Sequence, residues 1–281
     1  MKKSISYWSF DGGLDGTKDI GECFAEAVQA GYDAVELALS AQGELTAGTT
    51  QEECRRILQK AEDADVEISS LATGLFWDHP LTSDDPETAA AGREIAVKLL
   101  EVASWLELDT VLVVPGAVDV FFLPDFKPVS YDVVYDRAVE AMEELVPVAE
   151  KFGVCIGLEN VWNKFLLSPL EMRDFVDRFG SNYLGVYFDV GNVLLYGYPQ
   201  HWIRILGERI KKVHLKDFRA SVGTAEGFCD LLDGDVDWQA VMDALTDTGY
   251  DGYLTAEMVP PTPGIVERTS PAIDKILAMQ R

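Results

Sequence analysis

The segments VCIGLE (residues 154–159) and LGVYFD (184–189) are short apolar runs, each closed by a carboxylate, with a longer amphipathic stretch between them. The same alternation continues outward, where IKKV runs into His214 and YLTA into Glu257. β-Branched runs alternating with amphipathic stretches are the signature of repeated βα units around a parallel sheet. On this reading strands fall near residues 4–10, 32–39, 66–72, 109–114, 154–159, 184–189, 210–215 and 253–257. Helices fall near 18–30, 50–64, 86–107, 131–152, 169–180, 199–209, 237–248 and 265–280.

Start and stop signals support the helices. Ser168-Pro169 precedes LEMRDFV and Asp237 precedes WQAVMDAL, where a short polar side chain caps free N–H groups; glycines at 31, 153 and 249 end helices just before a strand. Gly31-Tyr32-Asp33 recurs as Gly249-Tyr250-Asp251, the same helix-to-strand junction used twice. No Ser/Gly/Pro-rich linker divides the chain and no short repeat period runs through it. Eight βα units without a linker predict one α/β domain over residues 1–281, a single (β/α)8 TIM barrel. A doubly wound sheet is the competing architecture, but no G-x-G-x-x-G follows the first strand.

Composition bounds the function. The chain is 48% hydrophobic and 25% charged, which allows a large core and excludes disorder, collagen and coiled coil. Its net charge of −25 repels phosphate backbones and anionic membrane surfaces, and no concentrated basic face breaks that field. Small-molecule chemistry is expected, with neither nucleic acid nor membrane as partner. No apolar run reaches membrane-spanning length, and MKKSISYWSFDGG turns polar too early for a signal peptide, so a cytoplasmic location is expected. Cys23, Cys54, Cys155 and Cys229 are scattered without a C-x-x-C pair, indicating buried thiols instead of a disulfide framework or zinc-thiolate site.

In a parallel barrel the active site lies at the C-terminal ends of the strands. Glu159, Asp189, His214 and Glu257 stand at four such ends, belonging to the fifth to eighth strands, so barrel closure brings them to one side of the mouth. Taken singly, each has a structural reading: a salt-bridged glutamate, a turn-forming aspartate ahead of Val-Gly-Asn, a satisfied core histidine. Taken together, three adjacent carboxylates raise one another's pKa unless a cation compensates, and three oxygen ligands with one imidazole suit a single Mn²⁺, Mg²⁺ or Co²⁺.

The chain resembles the xylose isomerase-like TIM-barrel superfamily, in its sugar isomerase and 3-epimerase branch. The motifs are GLEN at 157–160, YFDVGN at 187–192, RIKKVHLKDF at 209–218, GDVDW at 234–238 and GYDGYLTAE at 249–257, and the resemblance spans essentially the whole chain. It implies that Glu159, Asp189, His214 and Glu257 ligate one divalent metal and that Glu159 and Glu257 are the acid/base pair. The ion then stabilises the enediolate formed when a proton leaves the carbon beside a ketose carbonyl; return to the same carbon epimerises, and delivery to the neighbouring carbon isomerises. A homodimer or homotetramer is common among such relatives.

The loops offer further candidates. Lys216 and Arg219 follow His214 and would hold a sugar hydroxyl or phosphate, and Asp217 would orient His214 from behind. His79, Asn192 and Glu36 are candidate substrate contacts, as are Trp8, Trp77 and Trp162, whose rings suit the apolar C–H faces of a sugar. VFFLPDF at 120–126 is a candidate lid or interface patch. Relatives acting on free ketohexoses tend to carry histidine where this chain has Asn192, and an arginine six residues after the metal histidine where Arg219 stands five after His214. The D-V-G-N version is more similar to relatives acting on sugar phosphates or of unassigned substrate, which counts against free D-psicose or D-tagatose, and the expected substrate is a ketose or ketose phosphate. Two other chemistries share the scaffold: dehydration as in inosose or dehydroshikimate dehydratases, and apurinic-site cleavage as in endonuclease IV, which needs more histidine ligands than the three histidines here allow.

Overall fold

A computed structural model describes residues 1–280. Eight parallel strands close into a barrel: β1 (Lys2–Ser6), β2 (Ala34–Leu39), β3 (Glu67–Thr73), β4 (Thr110–Val113), β5 (Cys155–Glu159), β6 (Leu184–Asp189), β7 (Ile210–Leu215) and β10 (Tyr253–Ala256). Between β7 and β10 a two-stranded antiparallel hairpin, β8 (Asp217–Phe218) with β9 (Phe228–Cys229), stands outside the barrel. The helices are α1 (Ile20–Ala30), α2 (Gln51–Ala64), α3 (Pro86–Trp105), α4 (Tyr131–Phe152), α5 (Pro169–Asp177), a single turn α6 (Val190–Val193), α7 (Pro199–Leu206), α8 (Trp238–Asp247) and α9 (Ile265–Leu277). No described helix is long and apolar enough to cross a membrane.

The elements form for the reasons their sequences give. β2 and β6 are buried at every position, as parallel strands covered on both faces must be. Thr50 and Glu53 close a reciprocal capping box on α2, while Ser168 and Asp237 accept from Glu171 N and Ala240 N to start α5 and α8. Gly31 and Gly153 stop α1 and α4 in the left-handed conformation that glycine adopts without penalty. The first expected strand is shorter than the apolar run suggests: after Ser6 the chain turns into a 3₁₀ segment at Tyr7–Ser9, with Ser6 as its cap.

Closure joins the first strand to the last. β1 pairs with β10 from Lys2↔Tyr253 to Ile5↔Ala256 and with β2 from Ser4↔Ala34 to Ser6↔Glu36. The repeated Gly-Tyr-Asp junctions flank this seam. Asp33 accepts from Lys3 N at 2.8 Å on one side and Asp251 from the Met1 amine at 2.7 Å on the other. A polar belt of Glu36, Ser70, Tyr187 and His214 crosses the barrel interior beneath the C-terminal ends of the strands.

Candidate active site

Register places the strand-end residues side by side. Asp189 pairs with His214 across β6 and β7, Glu159 is level with Tyr187 across β5 and β6, and Glu257 directly follows Ala256, the partner of Leu215. All four are buried, and one ligand atom from each lies within 4.8 Å of all the others. His214 Nδ1 sits 3.2 Å from Glu159 Oε1 and 3.0 Å from Glu257 Oε2. Glu159 and Glu257 enter from β5 and β10, on opposite sides of β6 and β7, so they face each other across Asp189 and His214.

The donor set fits a hard divalent cation. Three carboxylates and one imidazole converge, and two buried oxygens, Asp189 Oδ2 and Glu257 Oε2, accept no aligned hydrogen bond. Their nearest positive charge is Lys216 Nζ, 2.9 Å from Asp189 Oδ2 and 2.5 Å from Glu257 Oε2, an ion-pair contact off hydrogen-bonding alignment. Burial pushes Glu159 up to about 7, and burial likewise raises Asp189. For Glu257 burial acts in the same direction but is outweighed by Lys216 and His214, which hold it at about 2. Burial opposes charge on His214, yet Glu36 and Glu257 keep its proton affinity well above that of an ordinary histidine.

Two sequence expectations exchange places. Glu36, which the sequence lets be read equally as a substrate contact or as a member of a structural ion pair, takes the second part: it is fully buried beneath the site, 2.9 Å from His214 Nε2, and accepts from Ser70 Oγ at 2.9 Å and from the Tyr187 hydroxyl. It fixes the ring of His214 with Nδ1 toward the carboxylates, the role expected of Asp217. Asp217 instead accepts from Phe218 N, Leu232 N, Val236 N and Trp238 Nε1 and pins the loop between β7 and α8. The reason is strand alternation: positions 214 and 217 are three apart and face opposite ways, while 214 and 216 share a face. Lys216 accordingly points into the site. Gly191 makes room for this turn of chain, since a Cβ there would lie 2.6 Å from Lys216 Cβ.

The remaining candidates separate. Trp8, Trp77, Trp162, Asn192 and Lys216 line a cavity of about 460 Å³ above Glu159 and Glu257. Asn192 is also structural, donating its side chain to Asn160 O at 3.0 Å and its backbone N–H to Asp189 Oδ1 at 2.7 Å. Arg219 is exposed and donates to Asp233 O, and neither Arg219 nor His79 is among the residues lining the cavity. Phe121 and Phe122 of the 120–126 loop do line it, stacked edge-to-face on each other and on Trp77. Sequence reasoning missed Asn160, whose amide donates to Asp189 O and accepts from Asp189 N, both at 2.8 Å. Its signal was its place directly after Glu159, at the same strand end.

The chain has relatives in sequence and in fold. Over 164 residues the chain is 27% identical to an uncharacterized protein of Methanocaldococcus jannaschii, covering 56% of this chain and 53% of that one. Over 148 residues it is 24% identical to an inosose dehydratase of Lacticaseibacillus casei, covering 47% and 50%. The chain thus spans about half the length of the curated relatives it matches. The crystal structure of D-psicose 3-epimerase with D-tagatose from Clostridium cellulolyticum H10 superposes with a TM-score of 0.80 at 18% identity over 100% of both chains, a likeness of fold. The family model for the xylose isomerase-like TIM barrel matches residues 24–276, which takes in the strand ends of Glu159, Asp189, His214 and Glu257, and the chain belongs to that family.

Proposed function

We propose that this protein is a divalent-metal-dependent isomerase or 3-epimerase acting on a ketose or ketose phosphate. The observation that carries the reading is the pair of buried glutamates, Glu159 and Glu257, facing each other across Asp189 and His214. Those four residues would hold Mn²⁺, Mg²⁺ or Co²⁺, and such an ion would supply the positive charge that favours an enediolate over its parent ketose.

The protein's own groups do the rest. A sugar between Glu159 and Glu257 presents one face of its α-carbon to each carboxylate. One glutamate takes the proton as the C–H electron pair moves into the new C=C bond and the carbonyl π pair onto its oxygen. The other returns a proton to the opposite face, inverting that carbon, while the enediolate electrons restore the carbonyl. Lys216, anchored on Asp189 and Glu257, is placed to donate a hydrogen bond to a substrate oxygen at the cavity floor. Glu36 keeps His214 from rotating, and Trp8, Trp77 and Trp162 exclude water from the carbon that exchanges.

The partial match to inosose dehydratase favours a second reading, in which the same proton abstraction is followed by loss of a β-hydroxyl as water. NMR in D₂O with added Mn²⁺ or Mg²⁺ separates the two. Loss of the carbon-bound proton α to the carbonyl, abolished by EDTA and without a new unsaturated product, is the expected result for an isomerase or epimerase. A conjugated enone product moves the assignment to dehydration, and no exchange in any ketose or cyclitol ketone removes both.

A further inference from the structure

Phosphate-binding sites in these barrels commonly use backbone N–H groups in the loops after the last two strands, with arginine or lysine alongside. Here the segment after β10 reads EMVPPTPG, and Pro260, Pro261 and Pro263 have no N–H to give. In the loop after β7, Arg219 N–H is spent on Gly227 O and Ala220 N–H on Asp235. Lys216 is the one cation among the described residues lining the cavity, and it is held between Asp189 and Glu257. Asp15, Asp78 and Glu226 add negative charge at the rim. An anionic substrate would enter a field of its own sign, opposed by a single lysine that already faces two carboxylates.

The opposite wall is aromatic and continuous. Trp77 meets Phe122 at 5.0 Å between ring centroids, Phe122 meets Phe121 at 5.2 Å, Phe121 meets Trp162 at 5.7 Å and Trp162 meets Phe228 at 5.0 Å. Phe121 and Phe122 are 56% and 46% exposed, so this wall carries apolar area outward beyond the buried carboxylates. Rings in such an array offer flat faces to the C–H face of a sugar ring.

From these two observations we infer that the substrate is an uncharged ketose derivative carrying a second ring, a ketose glycoside or disaccharide: the ketose end lies over Glu159 and Glu257 and the second ring packs on Phe121 and Phe122. This rests on the proposed ketose chemistry and decides between its free and phosphorylated forms.

The test compares D-fructose, D-fructose 6-phosphate and the neutral disaccharide isomaltulose on the Mn²⁺-loaded protein, by calorimetric binding and by α-proton exchange in D₂O. Isomaltulose is expected to bind about tenfold more tightly than fructose, and fructose 6-phosphate more weakly than fructose. In F121A/F122A the isomaltulose-to-fructose affinity ratio is expected to fall from about ten to about one. A phosphate ester that binds as well as its parent sugar overturns the inference, as does an unchanged isomaltulose-to-fructose ratio in the double variant. So does failure of all three compounds to bind at millimolar concentration. Binding in the expected order without proton exchange sinks the ketose chemistry and leaves the ligand class standing.

Discussion

The two ends of the barrel treat charge in opposite ways. At the N-terminal end each buried cation has a water-exposed carboxylate of its own: Lys3 meets Asp274 at 2.6 Å and Lys212 meets Asp109 at 2.8 Å, with side-chain exposures of 8% against 60% and 5% against 77%. At the C-terminal end three buried carboxylates, with Glu36 behind them, share one lysine and one imidazole. One end is balanced with its anions in water; the other carries surplus negative charge away from water, which costs stability unless a further cation arrives. That contrast singles out the C-terminal end as the candidate functional end without reference to any relative.

The contrast breaks most completely if the mouth loses a ligand. H214A is expected to lose divalent-metal binding at neutral pH by calorimetry, and E257Q to lower α-proton exchange by at least about 100-fold while some metal is retained. Full activity in E257Q would remove its acid/base role. Next in size is the buried support. E36Q frees the ring of His214 and is expected to weaken Mn²⁺ binding by about 10- to 100-fold. E36D, which keeps the charge, is expected to recover part of the affinity, whereas equal affinity in all three proteins would show that Glu36 is core filling.

A pH series sharpens the comparison. Glu159 sits at about 7 in the fold and near the ordinary 4.5 when unfolded, so between these values the folded chain keeps a proton that the unfolded chain has lost. Its contribution is therefore fully present below about 4.5 and lost as pH rises to about 7. With EDTA present, Tm is expected to fall across this window in the wild type and to fall less in E159Q, as read by thermal denaturation. An equal slope in both proteins would refute the assignment. Smallest is the effect at the other end: D274N removes the partner of Lys3 and is expected to cost no more than about 1 kcal/mol, with metal affinity unchanged.

Much of this was legible because parallel strands advertise themselves. An apolar run closed by Glu, Asp or His states both where a strand ends and what it presents at the mouth, and closure does the rest. What stayed hidden needed the third dimension. Nothing local marks Glu36 as the partner of His214, 178 residues away; its apolar flank fits a strand interior and a strand end equally well. Asp217 looked like that partner only because it is close in sequence, and strand alternation turns it the other way. The hairpin β8–β9 and the turn α6 were invisible to periodicity because each is shorter than one period of evidence.

The seam between β1 and β10 joins segments about as far apart in sequence as this chain permits. Contacts of such separation form late, because the entropy of closing the intervening loop must be overcome before the pairing returns anything. Until residues 253–256 arrive, β1 has one neighbour instead of two and Glu257 has no fixed position. Assembly of the candidate site is thereby made a late event of folding, and a chain interrupted before its last βα unit would display an open sheet edge in place of the four gathered side chains.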